Sequence, residues 1–271
     1  MMITLLIVAC IALFLLYAHW NTFRLVVREV EITVDKEGGF QELRIVQLSD
    51  LHMERLSISP ERIASKIAEA RADLVVMTGD YLDRYENKEK FMSYLDAIQA
   101  VEPKHGIWMV WGNHDHYLGD RIEDLGELIR AKGINLLVNE WDAIDMDGKR
   151  LNIIGTDDYC LGKSDISASF KDVPDGINLV LSHDPNIVLD MEEHHEVDLL
   201  LSGHLHGGQF KIPGAFKLFP MGELPKSNVI SGLHEVNGKT LYISDGMGQS
   251  GLNVRLGTRP EITIHTLRTA A

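Results

Sequence analysis

The stretch from Leu74 to Arg84 reads LVVMTGDYLDR and changes character at its midpoint. Its first five residues are apolar or β-branched, which predicts a short strand that is buried on both faces. Gly79 and Asp80 follow at once, where that strand ends. A short buried strand of this kind is typical of a sheet that is covered by helices. In such sheets the functional residues lie beyond the carboxyl ends of the strands.

The same arrangement occurs after four other apolar runs. Polar side chains follow them in this order: Asp50 and His52 after LRIVQL, Asn113 and His114 after GIWMVW, His183 after INLVLS, and His204 and His206 after VDLLLS. Imidazole and carboxylate groups are ligands of first-row transition metals. The candidate ligands are Asp50, His52, Asp80, Asn113, His183, His204 and His206. They are too many for one tetrahedral ion, and they suit two ions that share a carboxylate.

The segments between these strands predict the rest of the fold. Helical patterns cover Pro60–Ala70, Lys88–Ala100 and Arg121–Lys132. The runs Leu136–Ile144 and Leu151–Ile154 flank Asp147 and Gly148 and predict a hairpin. Further strand-like runs follow Asn228. We therefore expect an α/β fold in which two mixed sheets pack face to face with helices outside.

The N-terminus predicts a membrane anchor. Met2 to Ala18 read MITLLIVACIALFLLYA, and with His19 and Trp20 the run approaches the roughly 20 residues that span a bilayer. A cleaved signal peptide is the alternative, but it requires a basic start and a small-residue cleavage site, and neither pattern is present. We expect an anchor over residues 1–22 and one catalytic domain over residues 23–271.

Charge and cysteine content narrow the partners and the location. The formal net charge is −14, which argues against nucleic acid as a partner. Two cysteines, Cys10 and Cys160, cannot form a disulfide framework. Arg24 and Arg28 follow the apolar run, so the positive-inside rule slightly favours a cytoplasmic domain on a single-pass membrane protein.

The motifs D-x-H, G-D-x-x-D-R, G-N-H-D, S-H-D and G-H-x-H, in this order, resemble those of the calcineurin-like metallophosphoesterases. The form GHLHGGQ from Gly203, together with RPEI from Arg259, is similar to the membrane-anchored bacterial branch. The resemblance implies an αββα sandwich and a phosphoester hydrolase with two divalent transition-metal ions. Mn²⁺ is the first expectation, and Fe, Zn and Co remain open because metal availability decides.

The resemblance also implies roles for individual residues. One metal would be held by Asp50, His52 and His206, and the other by Asn113, His183 and His204, with Asp80 bridging the two. His114 matches the family's catalytic histidine, which stabilises the transition state and assists the leaving group; a role as a further metal ligand is the alternative. Two cations would disfavour protonation of His114 unless a carboxylate such as Asp115 raises its pKa. We expect Asp83 and Arg84 to lie behind the ligands. Asp245 departs from the family pattern, because many relatives have a basic residue there.

The substrate is expected to be a phosphorylated small molecule or a lipid-linked phosphate. The branch includes enzymes similar to UDP-2,3-diacylglucosamine pyrophosphatases of lipid A assembly, and a broad envelope phosphodiesterase is an equal alternative. A non-catalytic protein-binding scaffold and a metal-storing or metal-sensing membrane protein are further alternatives. The apolar stretch Phe210–Leu224 is either a lipid-side loop, through Phe210, Phe216 and Phe219, or a loop packed on its own core. The oligomeric state is left open.

Overall fold

The computed structural model describes residues 1–36, 42–146, 148–211 and 221–269. The helices in this part of the chain are α1 Met2–Trp20, α2 Pro60–Ala70, α3 Lys88–Gln99, α4 Arg121–Ala131, α5 Ile166–Ser169 and α6 Glu223–Lys226. The strands are β1 Val26–Val34, β2 Leu43–Leu48, β3 Leu74–Thr78, β4 Ile107–Val110, β5 Asn135–Leu136, β6 Glu140–Met146, β7 Lys149–Gly155, β8 Ile177–Leu181, β9 Leu199–Ser202, β10 Gly232–Val236, β11 Lys239–Ile243 and β12 Glu261–Thr269. Phe216 and Phe219 lie outside the described residues.

The strands form two mixed sheets. The first has the order β1-β12-β2-β3-β4-β5, and the second has the order β10-β11-β9-β8-β7-β6. In the first sheet β2 to β5 run parallel, while β12 is antiparallel to β2. In the second sheet β7, β8, β9 and β11 run parallel, and an antiparallel hairpin lies at each edge. The fold predicted from the sequence is therefore confirmed.

Alternation along β3 shows how the layers pack. Leu74 and Val76 face the second sheet and join a core that includes Leu179. Val75 and Met77 point the other way and join a core on the helical side. Because successive side chains of a strand point to opposite faces, this strand needs apolar residues at every position. The continuous apolar run in the sequence follows from burial on both faces.

Helix α2 shows why the helical segments begin and end where they do. The Ser59 hydroxyl accepts a hydrogen bond from the Arg62 backbone N–H at 3.4 Å, which caps the first turn. Ile63 and Ile67 lie one turn apart and are fully buried against the first sheet. The helix ends at Ala70, and the left-handed backbone of the next residue, Arg71, turns the chain toward β3.

One predicted strand was wrong. The run Leu136–Ile144 does not form a single strand. Leu136 ends β5, which is an edge strand of the first sheet, whereas Glu140–Met146 forms β6, an edge strand of the second sheet. Asn139 lies between the two parts with a positive φ of 54°. Its side-chain oxygen accepts from the backbone N–H of Asp157 at 2.9 Å, which fixes this turn. The hairpin with β7 is confirmed, although Asp147 lies outside the described residues.

The end of α1 is docked on the domain. The Arg255 backbone N–H donates to the Ala18 carbonyl at 2.9 Å, and the Asn21 side chain donates to the Arg255 carbonyl at 3.2 Å. The hydroxyls of Thr22 and Ser57 lie 2.8 Å apart. Residues 1–17 are exposed, and by length and composition this helix is able to cross a membrane. The domain boundary that we predicted after residue 22 falls within these contacts.

Candidate metal centre

Five strand ends meet at one edge of the sandwich. Strands β2, β3 and β4 belong to the first sheet, and β8 and β9 belong to the second. The structure brings all seven predicted ligands together there, and each is less than one-tenth exposed: Asp50, His52, Asp80, Asn113, His183, His204 and His206. The crevice between the two sheets therefore collects polar groups from both.

Four of these residues form a cluster that we call site A: Asp50, His52, Asp80 and His206. The Nε2 atoms of His52 and His206 lie 3.2 Å apart. Asp50 Oδ1 is 3.3 Å from His206 Nε2, and Asp80 Oδ2 is 3.6 Å from His52 Nε2. Two imidazole nitrogens at this separation need a proton or a cation between them.

A second cluster, site B, consists of Asp80, Asn113, His183 and His204. Asp80 Oδ2 lies 3.1 Å from His183 Nε2, which in turn is 3.2 Å from His204 Nδ1. Asn113 Oδ1 lies 3.0 Å from the same His204 nitrogen. Asp80 is common to both clusters, so its carboxylate stands where a bridging ligand is expected.

The hydrogen bonds behind the ligands favour metal binding. His52 Nδ1 lies 3.0 Å from Asp83 Oδ1, and His183 Nδ1 lies 2.7 Å from the Thr78 carbonyl oxygen. Both partners are acceptors, so Nδ1 carries the proton in each ring. The lone pair of Nε2 is then directed into the centre, as in histidines that bind metals. The donor set of carboxylates, imidazoles and one amide oxygen fits two divalent transition-metal ions that share Asp80.

The backbone at the ligands is strained. Five of the seven have positive φ angles, between 41° and 69°: Asp50, His52, Asp80, His204 and His206. Such angles cost about 1–3 kcal/mol for residues other than glycine and persist only where the surroundings enforce them. Gly112 is part of that enforcement, because a Cβ there would overlap Asp80 Oδ1.

The position of Asp115 differs from our prediction. It was expected to raise the pKa of His114, but its carboxylate lies beneath the bridging residue instead. It accepts from the backbone N–H groups of Asp80 at 2.9 Å, Tyr81 at 2.8 Å and Gly112 at 2.9 Å. Burial and the charge of Asp80 raise the pKa of Asp115 to about 7. Asp115 therefore fixes the loop that presents the bridging carboxylate.

His114 stands at the rim of the centre, with its side chain one-fifth exposed. Its partner is Asp83, whose Oδ1 lies 2.9 Å from His114 Nδ1. Its backbone N–H donates to Asp80 Oδ1 at 2.8 Å, and its Nε2 lies 4.0 Å from Asp80 Oδ2. Burial lowers the pKa of His114, but the bond to Asp83 and the charge of Asp80 outweigh it, so the pKa is raised.

Asp83 is held from the other side by an arginine that we did not predict. Arg55 Nη1 donates to Asp83 Oδ2 at 2.8 Å, whereas Arg84, which we expected behind the ligands, is exposed. The exposed ring of Tyr117 lies 4.8 Å from that of His114 and was also missed. Neither residue belongs to a recognisable motif, and only the fold brings them to the site.

Sequence reasoning also missed Arg255, which is fully buried behind site A. Its Nη2 lies 3.5 Å from His206 Nδ1. Asp245, the departure from the family pattern, is paired with Arg28 Nη2 at 2.9 Å. A basic group is thus present beside this loop, although it comes from β1. No pattern around Arg255 distinguishes it from a solvent-exposed loop residue.

Comparison with known proteins agrees with this geometry. A family model described as calcineurin-like phosphoesterase matches residues 43–208. The uncharacterized metallophosphoesterase YkoQ of Bacillus subtilis is 42% identical over 240 residues, which cover 87% of this chain and 88% of that protein. Phosphodiesterase YaeI of Escherichia coli is 29% identical over 253 residues, which cover 92% of this chain and 89% of that protein.

A third relative bears on the apolar helix. The transmembrane protein with metallophosphoesterase domain of Danio rerio is 29% identical over 266 residues, which cover 89% of this chain and 57% of that protein. By length and composition, α1 is a candidate membrane span. The family model, the YkoQ match and the two clusters of ligands agree. The chain belongs to the calcineurin-like phosphoesterase family and is a metal-dependent phosphoester hydrolase.

Proposed function

We propose that this protein hydrolyses phosphodiester or pyrophosphate bonds of lipid-linked substrates at the surface of the membrane that holds α1. One observation carries the proposal: a single residue, Arg255, contacts both the end of α1 and a ligand of the metal centre. Arg255 binds the Ala18 carbonyl through its backbone N–H at 2.9 Å, and its guanidinium lies 3.5 Å from His206. A span seated in the bilayer would hold the centre close to lipid head groups.

Exposed apolar side chains around this junction support the proposal. Trp20 is 54% exposed, Phe23 is 44% exposed and Leu252 is 67% exposed. The guanidinium of Arg24 lies 4.6 Å from the centre of the Trp20 ring. Aromatic and basic residues of this kind favour the boundary between lipid and water. Leu252 then extends the proposed lipid contact from α1 to the catalytic domain.

The chemistry follows from the residues of the centre. When bound, two divalent ions polarise phosphoryl oxygens and lower the pKa of water. Asp80 remains ionised, because His183, His52 and His114 outweigh the effect of burial and keep its pKa well below the usual value. His114 holds a proton at the rim, with Nδ1 fixed by Asp83. Its Nε2 is placed to donate to a phosphoryl oxygen or to the leaving oxygen.

The substrate class that we favour is a pyrophosphate joined to an acylated sugar, of the UDP-2,3-diacylglucosamine type. A broad phosphodiesterase is the second candidate, and the name of the relative YaeI favours it. A scaffold without activity has no need of a complete ligand set, whereas this chain retains all seven predicted ligands and His114.

The test compares two substrates with the full chain in vesicles. One is a lipid-linked pyrophosphate in the bilayer, and the other is soluble bis-p-nitrophenyl phosphate with added manganese. Leu252→Ser should lower turnover of the lipid substrate severalfold and leave the soluble substrate unchanged. Leu233→Ser is the matched control, because Leu233 is 48% exposed but lies on the edge strand β10. Equal turnover of the lipid substrate by both variants would favour the broad phosphodiesterase.

We further propose that the domain faces the cytoplasm. Cys160 is exposed on the domain, and the other cysteine, Cys10, lies within α1. A maleimide that cannot cross membranes should label Cys160 only after cells are permeabilised, and Cys160→Ser should abolish that signal. Labelling in intact cells would place the domain outside.

A further inference from the structure

Arg255 organises the loop behind site A from a fully buried position. Its Nη1 donates to the Asp245 carbonyl at 2.8 Å and to the Arg259 carbonyl at 3.2 Å. Its Nη2 donates to the carbonyls of Gly246 at 3.0 Å and Gly248 at 2.6 Å. Because the two terminal nitrogens of the buried guanidinium share these four carbonyls, the carbonyls are held in one arrangement, while Nε has no hydrogen-bond partner among the described residues.

This loop bears directly on Asp50. The Gly248 N–H donates to the Asp50 carbonyl at 2.6 Å, and a Cβ on Gly246 would come within 2.8 Å of the Asp50 Cβ. The same guanidinium lies 3.5 Å from His206 Nδ1. Asp50 and His206 both belong to site A. The polar contacts of Arg255 in the described chain include no ligand that belongs to site B alone.

The backbone of Arg255 is held from the opposite side by the last turn of α1 and the residue after it. Its N–H donates to the Ala18 carbonyl at 2.9 Å, and its carbonyl accepts from Asn21 Nδ2 at 3.2 Å. His19 Nδ1 lies 2.8 Å from the Asn253 carbonyl oxygen two residues earlier. Arg255 therefore contacts the end of α1 on one side and site A on the other.

We infer that the end of α1 is a structural part of site A, and that Arg255 is the positioning residue that couples them. Ala18 and Asn21 hold the backbone of Arg255, while its side chain fixes the loop from Gly246 to Gly248 against Asp50 and lies beside His206. The affinity of site A for its metal then depends on the bonds that Ala18 and Asn21 make to Arg255, whereas site B is independent of them. This inference does not depend on the substrate of the enzyme.

The experiment measures metal binding by the full chain in detergent micelles, with manganese as the probe. Asn21→Ala removes the bond to the Arg255 carbonyl. Loss of a buried hydrogen bond should weaken one of the two manganese equivalents by about tenfold and leave the other unchanged. Arg255→Met should retain one equivalent instead of two.

Thr22→Val is the matched control, because Thr22 is also buried in the same segment, but its hydroxyl bonds to Ser57 and to the His19 carbonyl rather than to Arg255. It should bind both equivalents like the unmodified chain. Identical manganese affinities in Asn21→Ala and Thr22→Val would overturn the inference. So would an equal weakening of both equivalents in Asn21→Ala, which would indicate a general loss of structure. This pair decides the matter even if Arg255→Met does not fold.

Discussion

His114 Nδ1 lies 2.9 Å from Asp83 Oδ1. The same carboxylate oxygen lies 3.0 Å from His52 Nδ1, so one residue orients a site A ligand and the histidine at the rim. Burial would raise the pKa of Asp83, but bonds from His114, His52 and Arg55 hold it far below the usual value. Asp83 is therefore ionised throughout the working range of the enzyme and stabilises the protonated form of His114.

Asp83→Asn should shift the pH dependence of catalysis. The carboxylate raises the pKa of His114, so its loss lowers that pKa, and the protonated form then disappears at lower pH. The alkaline limb of kcat/KM should move to lower pH, as measured in manganese-loaded enzyme with an alkyl phosphodiester. Metal content is measured in parallel, since His52 shares the carboxylate. An unchanged limb with both metals retained would contradict the role of His114 as a proton donor.

His114→Ala should separate chemistry from metal binding. His114 lies outside both sites A and B, so both manganese equivalents should remain. General acid catalysis contributes about 10²–10⁴-fold, so kcat should fall by about that factor for an alkyl leaving group. The loss should be smaller for a p-nitrophenyl leaving group, which needs little protonation. Loss of one full metal equivalent would instead make His114 a ligand.

Asp80→Asn tests the bridge. Asp80 Oδ2 lies 3.1 Å from His183 Nε2 in site B and 3.6 Å from His52 Nε2 in site A. Removing one negative charge between the two sites should lower both metal affinities and abolish hydrolysis of bis-p-nitrophenyl phosphate. The measurements are bound metal and turnover. A variant with two equivalents and near-normal turnover would remove the bridging assignment.

His265 should make the fold sensitive to acid. Burial lowers the pKa of His265 to about 3, whereas an unfolded histidine titrates near 6.5. As the pH falls below 6.5, the unfolded chain gains a proton that the folded chain does not, so stability falls. Between pH 6.5 and 5.5 this loss amounts to about 1 kcal/mol.

The check is urea unfolding of the metal-free chain in micelles at these two pH values. His265→Gln retains a donor for Gln47 Oε1, which lies 3.0 Å from His265 Nε2. The variant should lose about 1 kcal/mol less than the unmodified chain over that pH interval. Parallel losses in the two chains would show that His265 does not titrate as inferred.

The ligands could be predicted because each follows an apolar run in the sequence, as Asp80 follows Leu74–Thr78. Strand and ligand are neighbours along the chain, and parallel strands bring such ends to one edge. The partner of His114 could not be predicted in this way. Asp115 is adjacent in sequence, but its side chain turns toward backbone N–H groups, and Asp83 reaches His114 through the fold.

Contacts between residues that are distant in the sequence could not be predicted either. Arg255 touches the last turn of α1 and a loop ligand more than forty positions earlier, and no local pattern predicts either contact. The split between β5 and β6 depends on the positive φ of Asn139 and on the bond that it accepts from Asp157. Such features depend on which groups meet after folding rather than on periodicity.

The pairing of β1 with β12 has a consequence for how the protein is made. Val26–Val34 of β1 pairs along its whole length with Glu261–Thr269 of β12, and β12 also pairs with β2. During synthesis β1 and β2 leave the ribosome before the other described strands of the first sheet, and β12 follows all of them. The first sheet therefore stays open beside β2 until β12 has emerged. A chain interrupted before β12 would keep unpaired edges on β1 and β2, and such edges are prone to aggregate.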